Sequence, residues 1–409
     1  MATEPGFSPK DGFWRTFTRT HWGRKPTVIR APFSQPIVTP AEVFRGVVAT
    51  RKRLRELTDS VDLRIDGTRV VLELERWLPR AGDKSLQGYQ ARLKRAGTGG
   101  QLALLVNDFQ EELGCAFYDR VRQFLRGLYE LTGVPPRAEV DLFLGNYART
   151  PLGVHRDEAE VFCFVVEGKK RFRLWPREAL RSSSARYGPG PYDRQLKHSF
   201  CLEGGPGDIL FWPTSYWHVA ESDGGLTSTL TLALYHGYSM FGALLTNISQ
   251  WNREIGGDER DPIGSLPFTN PMVKGELAAM ARRAEGQPGD LTTRLMRTWM
   301  ERITRYGFDR IPRARAGAVR LQGRVRNSQT SPILRWRMNG RLVISANGRS
   351  MTVAADPRIE RLLARVSRGT VCEVADLLEG TGRKSPRFPA TELRRTLQFL
   401  LEEKALEAV

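Results

Sequence analysis

Between about residues 138 and 240 the chain breaks into short apolar runs separated by Gly, Pro and Ser loops, and few folds tolerate that pattern. The runs AEVDLFLG, EVFCFVVEG, KRFRLWP, GDILFWP and LTSTLTLALY are rich in β-branched and aromatic residues, as strands are. Short strands at this spacing predict an antiparallel sandwich or barrel. One of them is led in by VHRDEAE, in which His155 and Asp157 stand two positions apart. Residues i and i+2 of a strand point to the same face, so an imidazole and a carboxylate would lie side by side. A solvated ion pair at a strand end would account for them. So would two-thirds of a metal site, which needs a third ligand.

The chain has five histidines, His21, His155, His198, His218 and His236. His218 ends the stiff aromatic connection in GDILFWPTSYWHVAES and opens a later strand of the same block. Such a histidine is commonly a hydrogen-bonded core residue. In this position it can also complete a set of two imidazoles and one carboxylate, the facial triad that leaves three metal positions open. Those donors suit Fe(II) and would also hold Mn, Ni or Zn. Lys170 follows His155 by fifteen positions, in GKKRFRLWP on a returning strand. Strand parity puts it on the face of Phe172 and Leu174, while Lys169, Arg171 and Arg173 face solvent. An ammonium among Val, Phe and Leu is costly unless an anion meets it, and a bound dicarboxylate would satisfy it.

The remaining chain sets the frame. Its 409 residues suggest two or three domains. No apolar run reaches membrane-spanning length, and MATEPGFSPKDGFW lacks the pattern of a signal peptide. Cys115, Cys163, Cys201 and Cys372 lie far apart, which points to free thiols in a reducing cytoplasm and away from a zinc finger. The net charge of +18 favours a polyanionic neighbour such as RNA, a ribosome or an acidic peptide. Residues 11–33 read as an aromatic helix, a turn at Lys25-Pro26 and a small strand, and further strands are expected at 69–76 and 101–106. After 241 the texture turns helical, with VKGELAAMARRAE (273–285) and LTTRLMRTWMERITRYGF (291–308). From Arg310 to Ala355 there are ten arginines and no acidic residue, with two Asn-Gly hairpin turns between alternating strands. Three helical patterns follow, IERLLARVS, VCEVADLLEG with a capping box Thr370…Glu373, and TELRRTLQFLLEEKALEAV. Strands plus three helices predict a winged-helix-like module.

At this point the residues resemble a known family. HxD, a lysine fifteen residues past the histidine, and GDILFWP…WH are similar to the JmjC/cupin-type 2-oxoglutarate oxygenases, above all the ribosomal-protein hydroxylases. HWGRKPTVIRAPF resembles the family's N-terminal W-x-x-K-P element, and LLVNDFQEEL the segment before its central helix. The resemblance implies a double-stranded β-helix (cupin/JmjC jelly roll) in a catalytic domain over 1–245. It also implies a helical dimerisation segment over 246–310, and Arg-rich strands with a winged-helix-like domain over 311–409. It implies that His155, Asp157 and His218 bind Fe(II), and that Lys170 pairs with the distal carboxylate of 2-oxoglutarate. The family places a second co-substrate contact on the strand before HxD. Here that region reads DLFLGNYART, with Phe143 where relatives often have Tyr, and Asn146 is the candidate. The implied reaction uses O2 and 2-oxoglutarate to hydroxylate an unactivated C–H bond of a side chain in a ribosomal protein or a biosynthetic peptide, by a cytoplasmic homodimer. An oxygenase of an RNA base or a free amino acid is the alternative, and a non-enzymatic cupin fits the complete triad poorly. The tail is expected to dock or present substrate. The Arg-rich strands are expected to offer RNA or an acidic surface a basic face beside the catalytic opening.

Overall fold

Burial that alternates along some strands and is continuous along others decides how the sheets stack. The computed structural model describes residues 6–54, 60–180, 186–188, 192–236, 291–313, 321–328, 330–338, 340–379 and 390–409. They fall into two units, Met1–Gly237 with Phe308–Arg315, and Tyr238–Gly307 with Ala316–Val409.

The first unit begins with helix α1 (Phe13–Thr20), strand β1 (Thr27–Ile29) and helix α2 (Pro40–Lys52). α2 starts at a capping box: Thr39 Oγ1 accepts from the Glu42 N–H, and the Glu42 carboxylate accepts from the Thr39 N–H. Then come β2 (Val61–Ile65), β3 (Thr68–Arg69), α3 (Leu86–Arg95), β4 (Leu102–Val106) and α4 (Gln110–Thr132). The strand-rich block supplies β5 (Arg137–Gly145), β6 (Val154–His155), β7 (Glu160–Glu167), β8 (Lys170–Pro176) and β9 (Arg186–Gly188). It closes with β10 (Phe200–Gly204), β11 (Ile209–Trp212), β12 (Tyr216–Glu221) and β13 (Thr227–Tyr235).

These strands form two antiparallel sheets, ordered β1-β11-β7-β13-β5-β4-β2-β3 and β10-β8-β12-β6-β9. Val161, Cys163, Val165, Leu210 and Trp212 from the first meet Phe172, Leu174, Leu202 and Ala220 from the second in one buried cluster. This is the expected jelly roll. The outer face of the large sheet is covered too: Phe162 packs edge-on against Trp14 and Phe124, and Phe211 against Phe17. Burial on both faces is why β7 reads EVFCFVVE rather than alternating. Gly127 in α4 makes room for Trp14, whose ring atom Cδ1 lies 2.5 Å from where a Cβ would stand.

One expected strand is absent. Pairing stops at Arg69, residues 74–77 form a short helix, and Val71 and Leu72 are 75% and 82% exposed. The strand that pairs with β4 is VDLRI, whose alternation buries Val61, Leu63 and Ile65. RVVLELER has β propensity, but among the described residues no strand offers it a ladder beyond Arg69.

The second unit contains α5 (Leu291–Thr304), β14 (Arg324–Asn327), β15 (Ile333–Met338), β16 (Arg341–Ala346) and β17 (Arg349–Ala354). It continues with α6 (Pro357–Val366), β18 (Cys372–Glu373), α7 (Val374–Glu379), α8 (Ala390–Glu402) and β19 (Leu406–Ala408). The hairpin joining β16 and β17 turns at Asn347 and Gly348, with φ of 45° and 75°, as an Asn-Gly turn of this hand requires. Leu362, Leu363, Val366, Leu393, Leu397 and Leu400 share one core with Leu342 and Ile344. Met300 and Thr304 of α5 are buried, and Thr304 Oγ1 lies 3.1 Å from Ser345 Oγ on β16.

Two local expectations are corrected here. Glu373 pairs in β18 and the helix starts at Val374, so Thr370…Glu373 is not a capping box. The last helix ends at Glu402, Lys404 turns with φ 52°, and the chain returns as β19 along β14. The arginines of the basic stretch also have partners: Arg326 pairs with Glu407 at 2.9 Å, Arg337 with Glu360 at 3.4 Å and Arg349 with Glu403 at 3.2 Å. The helix expected over 273–285 and the boundary near 245 lie outside the described residues. Among the described residues no helix is long and apolar enough to cross a membrane, and all four cysteines are free thiols.

A buried carboxylate ties the small sheet together. Glu221 on β12 receives Arg173 at 2.8 and 3.2 Å, Arg171 at 2.9 Å and the Tyr192 hydroxyl, and these donors hold its carboxyl below the usual range against the opposing effect of burial. Replacing Glu221 with Ala strands these cations and is expected to cost about 3 kcal/mol of unfolding free energy by chemical denaturation. The folded pKa is depressed, so this stabilisation is complete above the unfolded carboxylate value and lost as pH falls through the folded one. The deficit of the variant should therefore shrink in acid.

Candidate metal centre

β12 lies between β8 and β6 in the small sheet, and its register sets His218 directly opposite His155. Their ring centroids are 4.3 Å apart. Asp157 follows just after β6 and reaches both: its Oδ1 is 3.6 Å from His155 Nε2 and its Oδ2 3.3 Å from His218 Nε2. One donor atom from each of the three residues lies within 4.8 Å of the others. His155 Nδ1 is 3.0 Å from the Gly153 carbonyl oxygen. An N–H at Nδ1 donates there, which assigns the tautomer and leaves the Nε2 lone pair facing Asp157 and His218.

His218 is buried against Trp212 and Phe172, with ring centroids at 4.9 and 6.1 Å. Burial pushes its pKa down to about 4, with Asp157 opposing the shift and His155 adding to it. The imidazole is therefore neutral near pH 7, the form that coordinates a metal.

Lys170 points inward, as strand parity requires, and is only 1% exposed. Its Nζ donates to the Tyr147 hydroxyl at 2.9 Å and sits over the rings of Tyr147 and Phe172. Among the described residues no carboxylate forms an ion pair with it. Lys169, by contrast, is exposed and pairs with Glu203. The triad and Lys170 open on one cavity, which Asp141, Thr150, Thr231 and Tyr235 also line. Burial holds the Asp141 carboxyl well above its usual range, with Glu139 adding to the shift and the Asp108 N–H opposing it. Thr229, next along the inward face of β13, is fully buried, and apart from the Cys163 thiol beside it Oγ1 has no hydrogen-bond partner among the described residues.

The structure brings His155, Asp157, His218 and Lys170 together and leaves Asn146 out. The Asn146 amide is taken up by backbone: Oδ1 accepts from the Leu102 N–H at 2.6 Å and Nδ2 donates to the Gly100 carbonyl at 2.7 Å. That locks the end of β5 to β4 and places Asn146 outside the cavity lining. The neighbouring Tyr147, which lines the adjoining hollow, carries the hydroxyl that meets Lys170. Sequence reasoning passed over it because the residue lies beyond β5, where strand parity no longer says where a side chain points. The only signal was Gly145, whose missing Cβ would stand 2.5 Å from the Tyr147 ring.

Comparison with known proteins agrees with this geometry. Residues 128–239 match the JmjC domain. The chain is 30% identical over 164 residues to ribosomal oxygenase 2 of Rattus norvegicus, covering 36% of this chain and 33% of that protein. It is 32% identical over 127 residues to the Mus musculus ribosomal oxygenase 2, covering 28% and 26%. The matched segment thus spans about a third or less of the curated relatives' length. An X-ray structure of ycfD from Escherichia coli superposes with a TM-score of 0.50 at 16% identity, over 96% of this chain and 97% of that one. At that identity the likeness speaks for the fold.

The depressed pKa of His218 has a consequence for the metal-free protein. The unfolded imidazole binds its proton at about 6.5 and the folded one only near 4, so acidification favours unfolding across that window. The metal-free wild type is expected to lose stability between about pH 6.5 and pH 4, and His218→Gln to flatten that slope. Denaturation midpoints of both proteins against pH, in chelator, provide the check.

Proposed function

We propose that this chain, whose residues 128–239 match the JmjC domain, is an Fe(II)- and 2-oxoglutarate-dependent oxygenase that hydroxylates a C–H bond of a polypeptide side chain. One observation carries the reading: three metal donors and a buried lysine that no carboxylate pairs with among the described residues share a single cavity. The donor set fits the metal. Two imidazole Nε2 atoms lie 3.6 and 3.3 Å from the Asp157 oxygens, close to the roughly 3 Å that separates adjacent donors around a six-coordinate ion. Lys170 and Tyr147 fit the co-substrate, since a buried ammonium calls for an anion and a dicarboxylate brings one.

His155, Asp157 and His218 would hold the iron through one face and leave the other to ligands. When bound, iron with 2-oxoglutarate and O2 supplies the oxidising power for hydroxylation, with succinate and CO2 as by-products. The chain's own residues do the rest. Lys170 Nζ and the Tyr147 hydroxyl fix one end of the co-substrate, and this aligns its other end with the triad. Phe172 and Trp212 keep water from the His218 side. The Gly153 carbonyl holds the His155 ring in its ligating orientation.

The relatives' name, ribosomal oxygenase, supports a ribosomal protein as the substrate class. The free thiols support a cytoplasmic setting. The three helices and short strands after residue 321 support reading the tail as a winged-helix-like docking module. Assembly as a homodimer through the helical segment is part of the same proposal. The net charge of +18 keeps one second reading, an RNA base as the oxidised group. Mass spectrometry of peptide and RNA substrates for one added oxygen atom separates the two.

The expected metal stoichiometry is one Fe(II) per chain by titration, lost in His155→Ala and His218→Ala together with succinate formation. Full turnover in both variants would refute the triad. Lys170→Ala removes a buried charge partner worth about 3 kcal/mol and should raise the 2-oxoglutarate requirement roughly a hundredfold. Lys169→Ala should leave it near wild type, because that side chain is exposed on the opposite face.

A further inference from the structure

A second hollow adjoins the metal cavity and continues across the open face of the large sheet. It is lined by Asp62 and Arg64 of β2, Ala103 and Leu105 of β4, Phe143 of β5 and, just beyond that strand, Tyr147. Phe143, Thr150 and Leu152 line both spaces, so the two are continuous along a shared wall. Register explains the lining. Asp62 and Arg64 pair with Leu105 and Ala103, and these pair with Phe143 and Gly145, so five of the residues stand on one face. Those on the opposite face, Val61, Leu63, Leu102, Leu104, Leu142 and Leu144, are buried in the core.

The groove also offers an unmet donor. Arg64 Nη2 is 3.4 Å from Asp62, and Arg69 shares that carboxylate at 3.4 Å, yet Arg64 Nε is buried with no hydrogen-bond partner among the described residues. Nε itself is shut off from solvent, but the Arg64 side chain is 30% exposed, and its guanidinium is placed to donate to a peptide carbonyl laid along the groove. The walls of Ala103, Leu105 and Phe143 suit aliphatic side chains, and the Asp62 carboxylate beside Arg64 repels phosphates, so an RNA strand fits this surface poorly. A free amino acid would fill the metal cavity and leave the groove unused.

We infer that this groove over β5, β4 and β2 is the docking track of the substrate polypeptide, which carries the residues flanking the hydroxylated one away from the metal. The assignment rests on the functional reading above. Neighbouring strands lie about 4.8 Å apart, so two spacings give roughly 10 Å, the length of about three extended residues. The track therefore reads about three positions on one side of the target residue.

The test uses the full chain with Fe(II), 2-oxoglutarate and overlapping peptides that tile the ribosomal proteins of the source organism, scored for one added oxygen atom. For the peptide that is hydroxylated, Ala103→Trp, which fills the groove, should raise the peptide KM about tenfold or more, and Arg64→Gln severalfold. Uncoupled 2-oxoglutarate turnover without peptide should stay within about twofold of wild type in Arg64→Gln, since Arg64 does not line the metal cavity and makes no contact with Lys170. If Ala103→Trp fails to fold, p-benzoylphenylalanine at position 105 gives an independent answer, expected as a crosslink within about five residues of the hydroxylated one. Unchanged peptide KM in both variants, or no crosslink at 105, overturns the groove. Hydroxylation of RNA or of a free amino acid with no peptide modified overturns it as well. A wild type that makes no succinate from 2-oxoglutarate refutes the functional reading itself, a result distinct from the others.

Discussion

Everything at the candidate site depends on one strand register, that of β12. His218 faces His155 across β6 while the same strand pairs with β8 from Tyr216 to Glu221. A slip of one residue would turn His218 outward and put Trp217 or Val219 in the cavity. The locks on that register lie on the other face of the sheet. Trp217 sits opposite Trp175, and each indole N–H reaches a carbonyl beyond the strands, Arg177 and Gln195 respectively. Glu221 sits opposite Arg171 and gathers Arg173 and Tyr192 as well. The outward residues, which touch no ligand, hold the inward ones in place.

The inward face carries polar groups that an apolar barrel would otherwise reject. Lys170, a neutral His218, a carboxyl at Asp141 held well above its usual range and the Thr229 hydroxyl all lie between the sheets. Each is costly to bury without a partner. The compensating stability comes from elsewhere in the unit, chiefly the aromatic layer of Trp14, Phe17, Phe124, Phe162 and Phe211 that seals the large sheet on its far side. Local rules are broken where chemistry is expected and kept where the fold is held.

The sequence showed most of the barrel and its metal donors, because periodicity of two and the i, i+2 rule act within a single strand. The inward turn of Lys170 followed from that rule, whereas Asp157 lies past the end of β6 and meets His155 and His218 from a loop. The rule fails where a partner strand decides. RVVLELER has strand propensity but, among the described residues, no ladder beyond Arg69, whereas the less apolar VDLRI gains one from β4. The tail repeats the lesson: helical periodicity runs on through EEKALEAV, yet β14 offers a free edge and draws residues 406–408 into a sheet. Three of the arginines that composition presents as a bare basic face, Arg326, Arg337 and Arg349, meet Glu407, Glu360 and Glu403 from far along the chain. No local reading of a run without acidic residues could contain those partners.

The second co-substrate contact shows how far residue-by-residue transfer can reach. The family resemblance points to a hydroxyl at position 143, and this chain has Phe there, whose ring walls both the cavity and the groove. The hydroxyl reaches Lys170 from Tyr147, four residues later and off the strand. Two neighbours make that possible. Asn146 pins the backbone to residues 100 and 102, and Gly145 leaves the space the Tyr147 ring occupies. The tripeptide Gly-Asn-Tyr thus works as a unit: one residue clears space, one fixes the chain, and one delivers the oxygen. In this chain the oxygen beside the Lys170 ammonium comes from a position off the strand, held there by its two neighbours.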